Sequence, residues 1–351
     1  MQLYIFGAKA LALGMYRALS ELYPEFPIQG FLVSPLKDNA PTLAGLPVMD
    51  LLSIRDKNIH ILIATPEDLH PEITDLLERN GFHHYTCMNS RREAKLMEQY
   101  FIRKGDFVSL HTLPAGTSRV PIEVFMAKFY KDKALENTYE LPDWTKPLQV
   151  GAALTRERVA KDTDFEGDNI SAKNVNYCEL TALYWLWKNR LQKEGAGGYY
   201  GLFHYRRILD LCDADVLRLE ENGIDAVLSY PTLHEPDILE HHARYIKDAD
   251  WEAMLRALRE LQPEYYNALK HIGLQPYFYN YNMLIAKHEV LKDYCEWLFP
   301  ILERTEELSE PRGWERKDRY IGYLGESLMT LYFLYHKADL RIAHTGRLML
   351  T

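Results

Sequence analysis

Apolar and polar positions over the first hundred residues follow the pattern of short buried strands separated by amphipathic helices. The continuous apolar runs are LYIF (3–6), GFLVS (30–34), IHILIAT (59–65) and HHYTCM (83–88). Helical spacing fills the intervals from Ala10 to Leu22 and from Glu67 to Asn80. Continuous apolar strands that alternate with helices are typical of a parallel sheet covered on both faces. The pattern therefore predicts a Rossmann-like domain over residues 1–105.

The rest of the chain also alternates strands with helices, after an irregular stretch punctuated by proline and glycine. We interpret residues 106–121 as a linker, because SLHTLPAGTSRVP interrupts both periodicities. Further apolar strands are expected at 147–154, 199–204, 224–230, 277–287 and 340–345. Their interleaving with long helices predicts a second α/β domain over residues 122–351.

The turn after the first strand bears on cofactor binding. FGAKALALGMY places Gly7 and Gly14 around a helix start. It lacks the G-x-G-x-x-G run that lets backbone approach a pyrophosphate. An NAD-dependent sugar-nucleotide oxidoreductase acting through this domain is therefore a less favoured alternative.

Charge and cysteine content exclude some classes of protein. The 351 residues carry 41 Lys and Arg against 50 Asp and Glu, a formal net charge of −9. A general nucleic-acid binder needs a basic face to neutralise phosphates, so this balance argues against that class. The four cysteines are scattered, which predicts neither a zinc cage nor a disulfide framework. Because we find no signal peptide and no apolar run of ~20 residues, we expect a cytoplasmic protein.

A polar segment precedes a strongly apolar helix that is expected from residue 180 onward. Asn176 and Glu179 have the spacing of a capping box at its start. The segment before them contains Asp168, Asn169, Ser171, Lys173 and Asn174. A helix N-terminus with such neighbours binds either a phosphate or a cluster of sugar hydroxyls, and ordinary capping is the alternative.

Several long motifs resemble those of a known bacterial family. They are DNISAKNVNYCELTALYWLWKN (168–189), YYGLFHYRRIL (199–209), YNYNMLIAKHEVLKDYCEWLFPIL (279–302) and RYIGYLGESLMTLYF (319–333). Together they resemble the polysaccharide-biosynthesis glycosyltransferases catalogued as domain of unknown function 4422, over roughly residues 122–351. The resemblance implies a mixed-sheet GT-A-like domain that transfers galactose or galactofuranose from a UDP-sugar in capsule, exopolysaccharide or lipopolysaccharide assembly. We expect an inverting transfer, with a retaining transfer as the alternative. Composition and spacing alone predict only an α/β domain that binds a sugar or a phosphate.

The motif HYRR concentrates charge at the end of an apolar strand. In a GT-A fold the equivalent strand commonly ends in a D-x-D pair that holds a metal against the donor diphosphate. We expect His204, Tyr205, Arg206 and Arg207 to replace that metal, with His204 stabilising the leaving group. Strand alternation would point the two arginines to opposite faces unless the strand has ended. A solvated rim paired with carboxylates is the alternative.

A metal-dependent alternative rests on the D-x-D pair Asp213 and Asp215, just downstream of this strand. Their carboxylates would hold Mg²⁺ or Mn²⁺. Chance alone gives roughly one D-x-D match in a chain of this composition. We therefore expect that no cofactor is required, with Mg²⁺ or Mn²⁺ as the alternative.

Two later motifs carry the other expected site residues. PYFYNYNMLIAK alternates like a half-buried strand, with Asn280 and Asn282 on one face as sugar-hydroxyl ligands. RYIGYLGESLMTLYF places Gly325, beside the donor, and Glu326 in the first turn of a helix. We expect Glu326 to be the general base that activates the acceptor, or else a carboxylate that only complements the helix dipole.

The expected partners are a UDP-sugar donor and a glycan or lipid-linked glycan acceptor. The basic cluster of Arg312, Arg316, Lys317 and Arg319 is either a solvated loop or a contact to acidic lipid headgroups. In the second case the protein would bind peripherally at the inner face of the cell membrane. A non-catalytic sugar-nucleotide-binding or scaffold protein of a polysaccharide assembly complex is the remaining alternative.

Overall fold

The computed structural model describes residues 2–37, 39–193, 195 and 197–351, apart from the side chains of residues 240, 241 and 243. Within this part of the chain, strands form two large sheets, each with hydrophobic clusters on both of its faces. The predicted α/β class is therefore confirmed.

The first sheet is formed by the N-terminal part of the chain. Its strands are β1 Leu3–Phe6, β2 Ile28–Val33, β3 Thr42–Leu43, β4 Leu46–Asp50, β5 His60–Ile63 and β6 Tyr85–Cys87. Their spatial order is β3-β4-β2-β1-β5-β6, and all pairings are parallel except that of β3 with β4. The accompanying helices are α1 Ala10–Leu22, α2 His70–Arg79 and α3 Ser90–Lys104.

The second sheet combines one strand from the predicted linker with strands that follow this linker in the chain. The remaining strands are β7 Val108–Ser109, β8 Ile122–Lys128, β9 Thr145–Gln149, β10 Asp162–Thr163, β11 Tyr199–His204, β12 Arg207–Leu209, β13 Ala226–Ser229, β14 Thr232–Leu233, β15 Tyr277–Phe278, β16 Leu284–Lys287, β17 Ile342–Thr345 and β18 Arg347–Met349. The main path is β10-β9-β8-β11-β16-β13-β17-β7, with β12 attached to β11 and to β18, whereas β14 and β15 form a separate two-stranded sheet. Strand β16 is antiparallel to both of its neighbours, and the other pairings along this path are parallel.

Side chains alternate between the two faces of this sheet. Phe125 and Leu202 belong to one hydrophobic cluster, whereas Val124, Met126 and Phe203 belong to the cluster on the other face. Strand β11 is apolar throughout because it lies in the middle of the sheet and is covered on both sides. This continuous apolar run ends at His204, at the carboxyl end of the strand.

Helices of the second half pack around this sheet. They are α4 Asn174–Tyr177, α5 Leu180–Leu186, α6 Asp213–Glu221, α7 Leu239–Tyr245, α8 Asp248–Leu261, α9 Pro263–Ile272, α10 His288–Leu308 and α11 Tyr320–Tyr335. Helix α5 is almost entirely buried, as its sequence predicts, and continues as a π-helical turn over Trp187–Leu191. Among the described residues, no helix combines the length and apolar character needed to cross a bilayer.

The segment predicted as a linker takes part in the second sheet. Strand β7 pairs in parallel with Ala343 and His344 of β17. The N-terminal part also packs directly on the second part, since the ring of Phe101 in α3 stacks on Tyr230 with 5.2 Å between centroids. The two predicted domains therefore share a hydrophobic cluster. Their boundary at 105 and 122 stays a prediction.

Candidate active site

A cavity of about 610 Å³ lies at the carboxyl ends of three neighbouring parallel strands. Ala127 lines it near the end of β8, Val150 just after β9, and His204 at the end of β11. Ligands of open α/β sheets bind outside the carboxyl ends of parallel strands. The topology of the second sheet therefore places a ligand site here.

The HYRR motif is a tight hairpin turn at this edge. Strand β11 ends at His204, which pairs with Arg207 at the start of the antiparallel strand β12, so Tyr205 and Arg206 form a two-residue loop. All four side chains line the cavity. Because the strand ends before the arginines, the alternation that would have separated them does not apply.

The two arginines have different surroundings. One guanidinium nitrogen of Arg206 lies 3.2 Å from a carboxylate oxygen of Asp68 in the N-terminal domain, and its Nε is buried without a hydrogen-bond partner. The guanidinium of Arg207 lies over the ring of Tyr281, 4.5 Å from the centroid. Lys131, Lys317 and Arg319 also line this cavity. Lys317 and Arg319 belong to the basic cluster identified in the sequence, whereas Lys131 was not singled out there. The cavity wall therefore contains five Lys and Arg side chains, together with the carboxyl groups of Asp132, Glu179 and Glu326.

Glu326 lies in the cavity wall, but not at a helix start. Helix α11 begins at Tyr320, six residues earlier than Glu326, so this carboxylate is in the second turn and is not a first-turn dipole partner. It is 8% exposed. Burial, and next the charge of Glu179, raise the pKa of Glu326 to about 8, although hydrogen bonds from the Tyr281 backbone and the Asn280 side chain lower it. A carboxyl group that titrates near neutral pH has the property required of a general base.

Glu179 is a second carboxylate in the cavity, which the sequence interpretation treated only as a capping residue. The chain bends at Cys178 (φ 51°, ψ −131°), so α5 begins only at Leu180 and no capping box forms with Asn176. One Glu179 oxygen accepts a hydrogen bond from the Asn282 amide at 2.7 Å and lies 3.7 Å from His204 Nε2. The sequence did offer one indication of a role for Glu179, because this residue lies within the motif DNISAKNVNYCELTALYWLWKN, directly after the polar segment.

His204 holds a backbone turn. Its Nε2 donates a hydrogen bond to the carbonyl oxygen of Tyr281 at 2.6 Å. Burial lowers the pKa of His204 below its ordinary value, so the imidazole is neutral at pH 7 and its proton is already used in this bond. The geometry therefore gives His204 a positioning role, in place of the expected stabilisation of the leaving group.

The expected strand over residues 277–287 is interrupted at the site. It splits into β15 and β16, and between them Tyr281 (φ 70°) and Asn282 (φ 50°) take left-handed conformations. Cys178 and Arg319, which line the cavity, also have positive φ. Such conformations are strained for residues other than glycine, and they cluster at functional sites.

The interruption separates the two asparagines expected on one face. Asn280 bonds to the hydroxyl of Thr232 and to Glu326, beside a second cavity. Asn282 is fully buried and donates to Glu179 and to the Gly322 carbonyl. Asn282 therefore supports a carboxylate and does not reach the cavity.

Gly325 has a packing role. A Cβ at this position would lie 2.6 Å from Leu180 Cδ1 and 3.2 Å from Asn282 Oδ1. The glycine therefore lets α11 approach α5 closely, and the structure does not bring it to the cavity surface as a donor contact.

The polar segment before α5 reaches the cavity only at its end. Asn174 lines the cavity and donates to the Cys178 carbonyl at 2.7 Å. Asp168 accepts a bond from the Tyr184 hydroxyl, the Asn169 amide donates to nearby carbonyls, and Lys173 forms an ion pair with Glu306 at 2.5 Å. These last three side chains are satisfied by the protein itself, so the structure does not bring them to the expected donor site.

Asp213 and Asp215 lie away from the cavity. Asp213 accepts a bond from the Trp144 indole and pairs with Arg119, each at 3.0 Å. Asp215 accepts from the Cys212 backbone at the start of α6. Among the described residues no group of three or more His, Cys, Asp or Glu could hold a metal ion. Both carboxylates of this pair are bonded to other residues away from the cavity, and metal-free donor binding stays a prediction.

The basic cluster at 312–319 does not act as a unit. Arg316 is buried in a bidentate ion pair with Asp250 at 2.6 and 2.7 Å. Lys317 and Arg319 line the cavity. Arg312, beside the exposed Trp314, is an exposed member of the cluster that does not line the cavity.

Residues 134–337 match the family model described as DUF4422, a domain of unknown function. This match covers more than half of the 351 residues and includes the HYRR turn, Glu179 and Glu326. The chain belongs to the DUF4422 family. The resemblance found in the sequence is confirmed, and the cavity residues from Asn174 to Glu326 lie within the DUF4422 region.

Among solved structures, this DUF4422 chain is similar to the apo structure of WbbM, a bifunctional glycosyltransferase, at 24% sequence identity and a TM-score of 0.52. The similarity covers 66% of this chain and 45% of the WbbM chain, so the present chain matches less than half of that protein. At this identity the similarity concerns the fold. No curated protein matches the chain.

Proposed function

We propose that the chain is a glycosyltransferase, which moves a hexose from a UDP-sugar to a hydroxyl group of a growing cell-surface glycan. The observation that carries the proposal is the cavity at the carboxyl ends of β8, β9 and β11, where the cationic HYRR turn and three carboxyl groups line one space. The similarity in fold to part of a glycosyltransferase supports the same reaction class. A capsule or lipopolysaccharide glycan with galactose or galactofuranose as donor sugar fits the family resemblance.

The donor diphosphate would be bound by Arg206 and Arg207 without a metal ion. Guanidinium groups match phosphate oxygens bidentately and remain charged at every physiological pH. Lys131, Lys317 and Arg319 line the same cavity and add to its positive potential. Fixed cations of this kind stabilise the charge that develops on the departing UDP.

Glu326 would act as the general base of an inverting transfer. Its carboxylate takes the proton of the acceptor hydroxyl while that oxygen bonds to the anomeric carbon. The bond from this carbon to the donor phosphate oxygen breaks, and UDP leaves with the electron pair. Glu179 is the second candidate, because it lines the same cavity and is oriented by Asn282.

Release of UDP from a panel of UDP-hexoses, with and without EDTA, tests the proposal. We expect slow hydrolysis of one donor in the absence of acceptor and no effect of EDTA, because the arginines take the place of a metal. Arg207→Ala should slow this release about tenfold or more at a donor concentration below the native KM, whereas Arg256→Ala, at an exposed position of α8, should leave it unchanged.

Each other outcome would point elsewhere. Release that EDTA abolishes would contradict the metal-free mechanism. UDP binding without turnover of any donor would favour the non-catalytic sensor or scaffold. Tight binding of NAD(H) with no affinity for UDP-sugars would favour the oxidoreductase alternative.

A further inference from the structure

A second cavity, of about 330 Å³, lies between the N-terminal domain and the second domain. Its N-terminal wall is formed by residues 7–11, which follow β1, and by residues 64–66, which follow β5. The facing wall includes Thr232, Asn280 and Tyr245. The cavity therefore exists only because the two domains are packed together.

The N-terminal sheet faces this cavity with the carboxyl ends of two neighbouring parallel strands, β1 and β5. From β1 the chain goes to β2 on one side, and β5 lies on the other side of β1. The crevice at the carboxyl ends of β1 and β5 is therefore a topological switch point, where open α/β sheets bind ligands. In this protein the crevice faces the second domain.

The two cavities adjoin at the proposed general base. Tyr281, Tyr323 and Glu326 line both of them. A base that removes the acceptor proton must contact the acceptor and also lie beside the donor carbon. Glu326 meets both conditions if the donor occupies the larger cavity and the acceptor the smaller one.

We infer that the smaller cavity binds the terminal sugar of the acceptor glycan, so that the N-terminal domain forms one wall of the acceptor site. This inference rests on the proposed glycosyltransferase function. It gives the N-terminal domain, which lies outside the DUF4422 match, a direct role in choosing the acceptor.

The tyrosine rings and the amide of the walls fit a saccharide, and the cationic Lys9 and Arg244 also line the cavity. Tyr245 stacks on Tyr323 with 5.8 Å between ring centroids, and such aromatic faces pack against the apolar faces of sugar rings. The Asn280 amide is oriented by the Thr232 hydroxyl and can bond sugar hydroxyls. Arg347, also in this wall, is already paired with Glu93 at 3.4 Å. The volume falls within the ~300–1,000 Å³ range of small-molecule sites.

Filling the cavity from its N-terminal wall separates acceptor binding from donor binding. Ala8 lines the smaller cavity and does not line the donor cavity, so Ala8→Trp should occupy the space without touching the HYRR turn. Ala40→Trp, at an exposed position of the same domain, is the matched control. Leu11→Trp is a second filling variant, and thermal unfolding identifies any variant that does not fold.

The probes are methyl glycosides of galactose, glucose and N-acetylglucosamine, detected by saturation-transfer NMR, with UDP affinity measured in parallel. We expect at least one glycoside to bind the full chain, and its affinity to fall about tenfold or more in a folded filling variant. The affinity for UDP should stay the same in Ala8→Trp and in Ala40→Trp.

Three results would overturn the inference. They are the absence of binding by every glycoside, unchanged glycoside binding in both filling variants, and displacement of bound glycoside by inorganic phosphate, which would assign the cavity to an anion. A failure of the proposed function looks different, because it appears as loss of UDP-sugar binding or turnover in the unaltered protein.

Discussion

The substitution Glu326→Gln has an effect on stability that follows from the burial of this carboxyl group. The pKa of Glu326 is raised from 4.5 to about 8, chiefly by burial and then by Glu179. Between these pH values the native protein keeps the proton and the unfolded chain has released it. Native stability must therefore fall as pH rises through this window, and the full fall is reached above pH 8. The difference in pKa corresponds to ~5 kcal/mol at ~1.4 kcal/mol per pKa unit.

Glutamine is neutral at every pH, so the variant should not show this fall. We expect the native protein and the variant to be similarly stable at pH 4.5, and the variant to be more stable by several kcal/mol at pH 9. Urea unfolding at both pH values measures the difference. Glu252→Gln, at an exposed position of α8, is the matched control and should follow the native protein throughout.

The same variant tests the chemistry. Loss of a general base costs ~10²–10⁴ in rate, so turnover should fall by this factor with donor affinity unchanged. If Glu326 is the base, kcat/KM of the native protein should rise with pH through about 8, because only the ionised carboxylate accepts the proton. Turnover of the variant within threefold of native, or an identical pH dependence of stability, would refute the reasoning.

Three further substitutions address the surroundings of the base. Arg207→Ala should raise the donor KM about tenfold to a hundredfold in steady-state assays, because charge-assisted bonds contribute ~1.5–3 kcal/mol. Asn282→Asp should lower the unfolding free energy by ~3 kcal/mol or more in urea titrations, because it places a buried carboxylate against Glu179. Gly325→Ala should lower the unfolding free energy by ~1–3 kcal/mol, because the new Cβ would lie 2.6 Å from the buried Leu180 side chain. A donor KM or stability equal to native in the respective assay would contradict each expectation.

The sequence predicted the sheets better than the turns between their strands. Continuous apolar runs identified β1, β5 and β11, because buried parallel strands need apolar residues on both faces. The alternation of tyrosine and asparagine predicted one strand over residues 277–287, whereas residues 279–283 form a turn between two strands. Tertiary contacts from Glu326 and His204 hold that segment as a left-handed turn, and no local signal encodes them.

The site was predicted where its residues are adjacent in sequence and missed where they are assembled by the fold. The HYRR turn was found because charge after an apolar strand is visible locally. Glu179 and Asp132 were missed as cavity residues, although burial raises the pKa of Asp132 to about 6. Asp168, Asn169 and Lys173 are residue types that bind sugars and phosphates. Their side chains instead form hydrogen bonds or an ion pair with other residues of the protein.

The length of the two-residue loop between His204 and Arg207 determines where the side chain of the second arginine lies. Side chains along a strand change faces with every residue, so one inserted residue would turn the following arginine away from the cavity or force the hairpin to bulge. Within this family, chains that keep two residues between the histidine and the second arginine are expected to share the donor-binding geometry. Chains of altered spacing are expected to bind the diphosphate by other means.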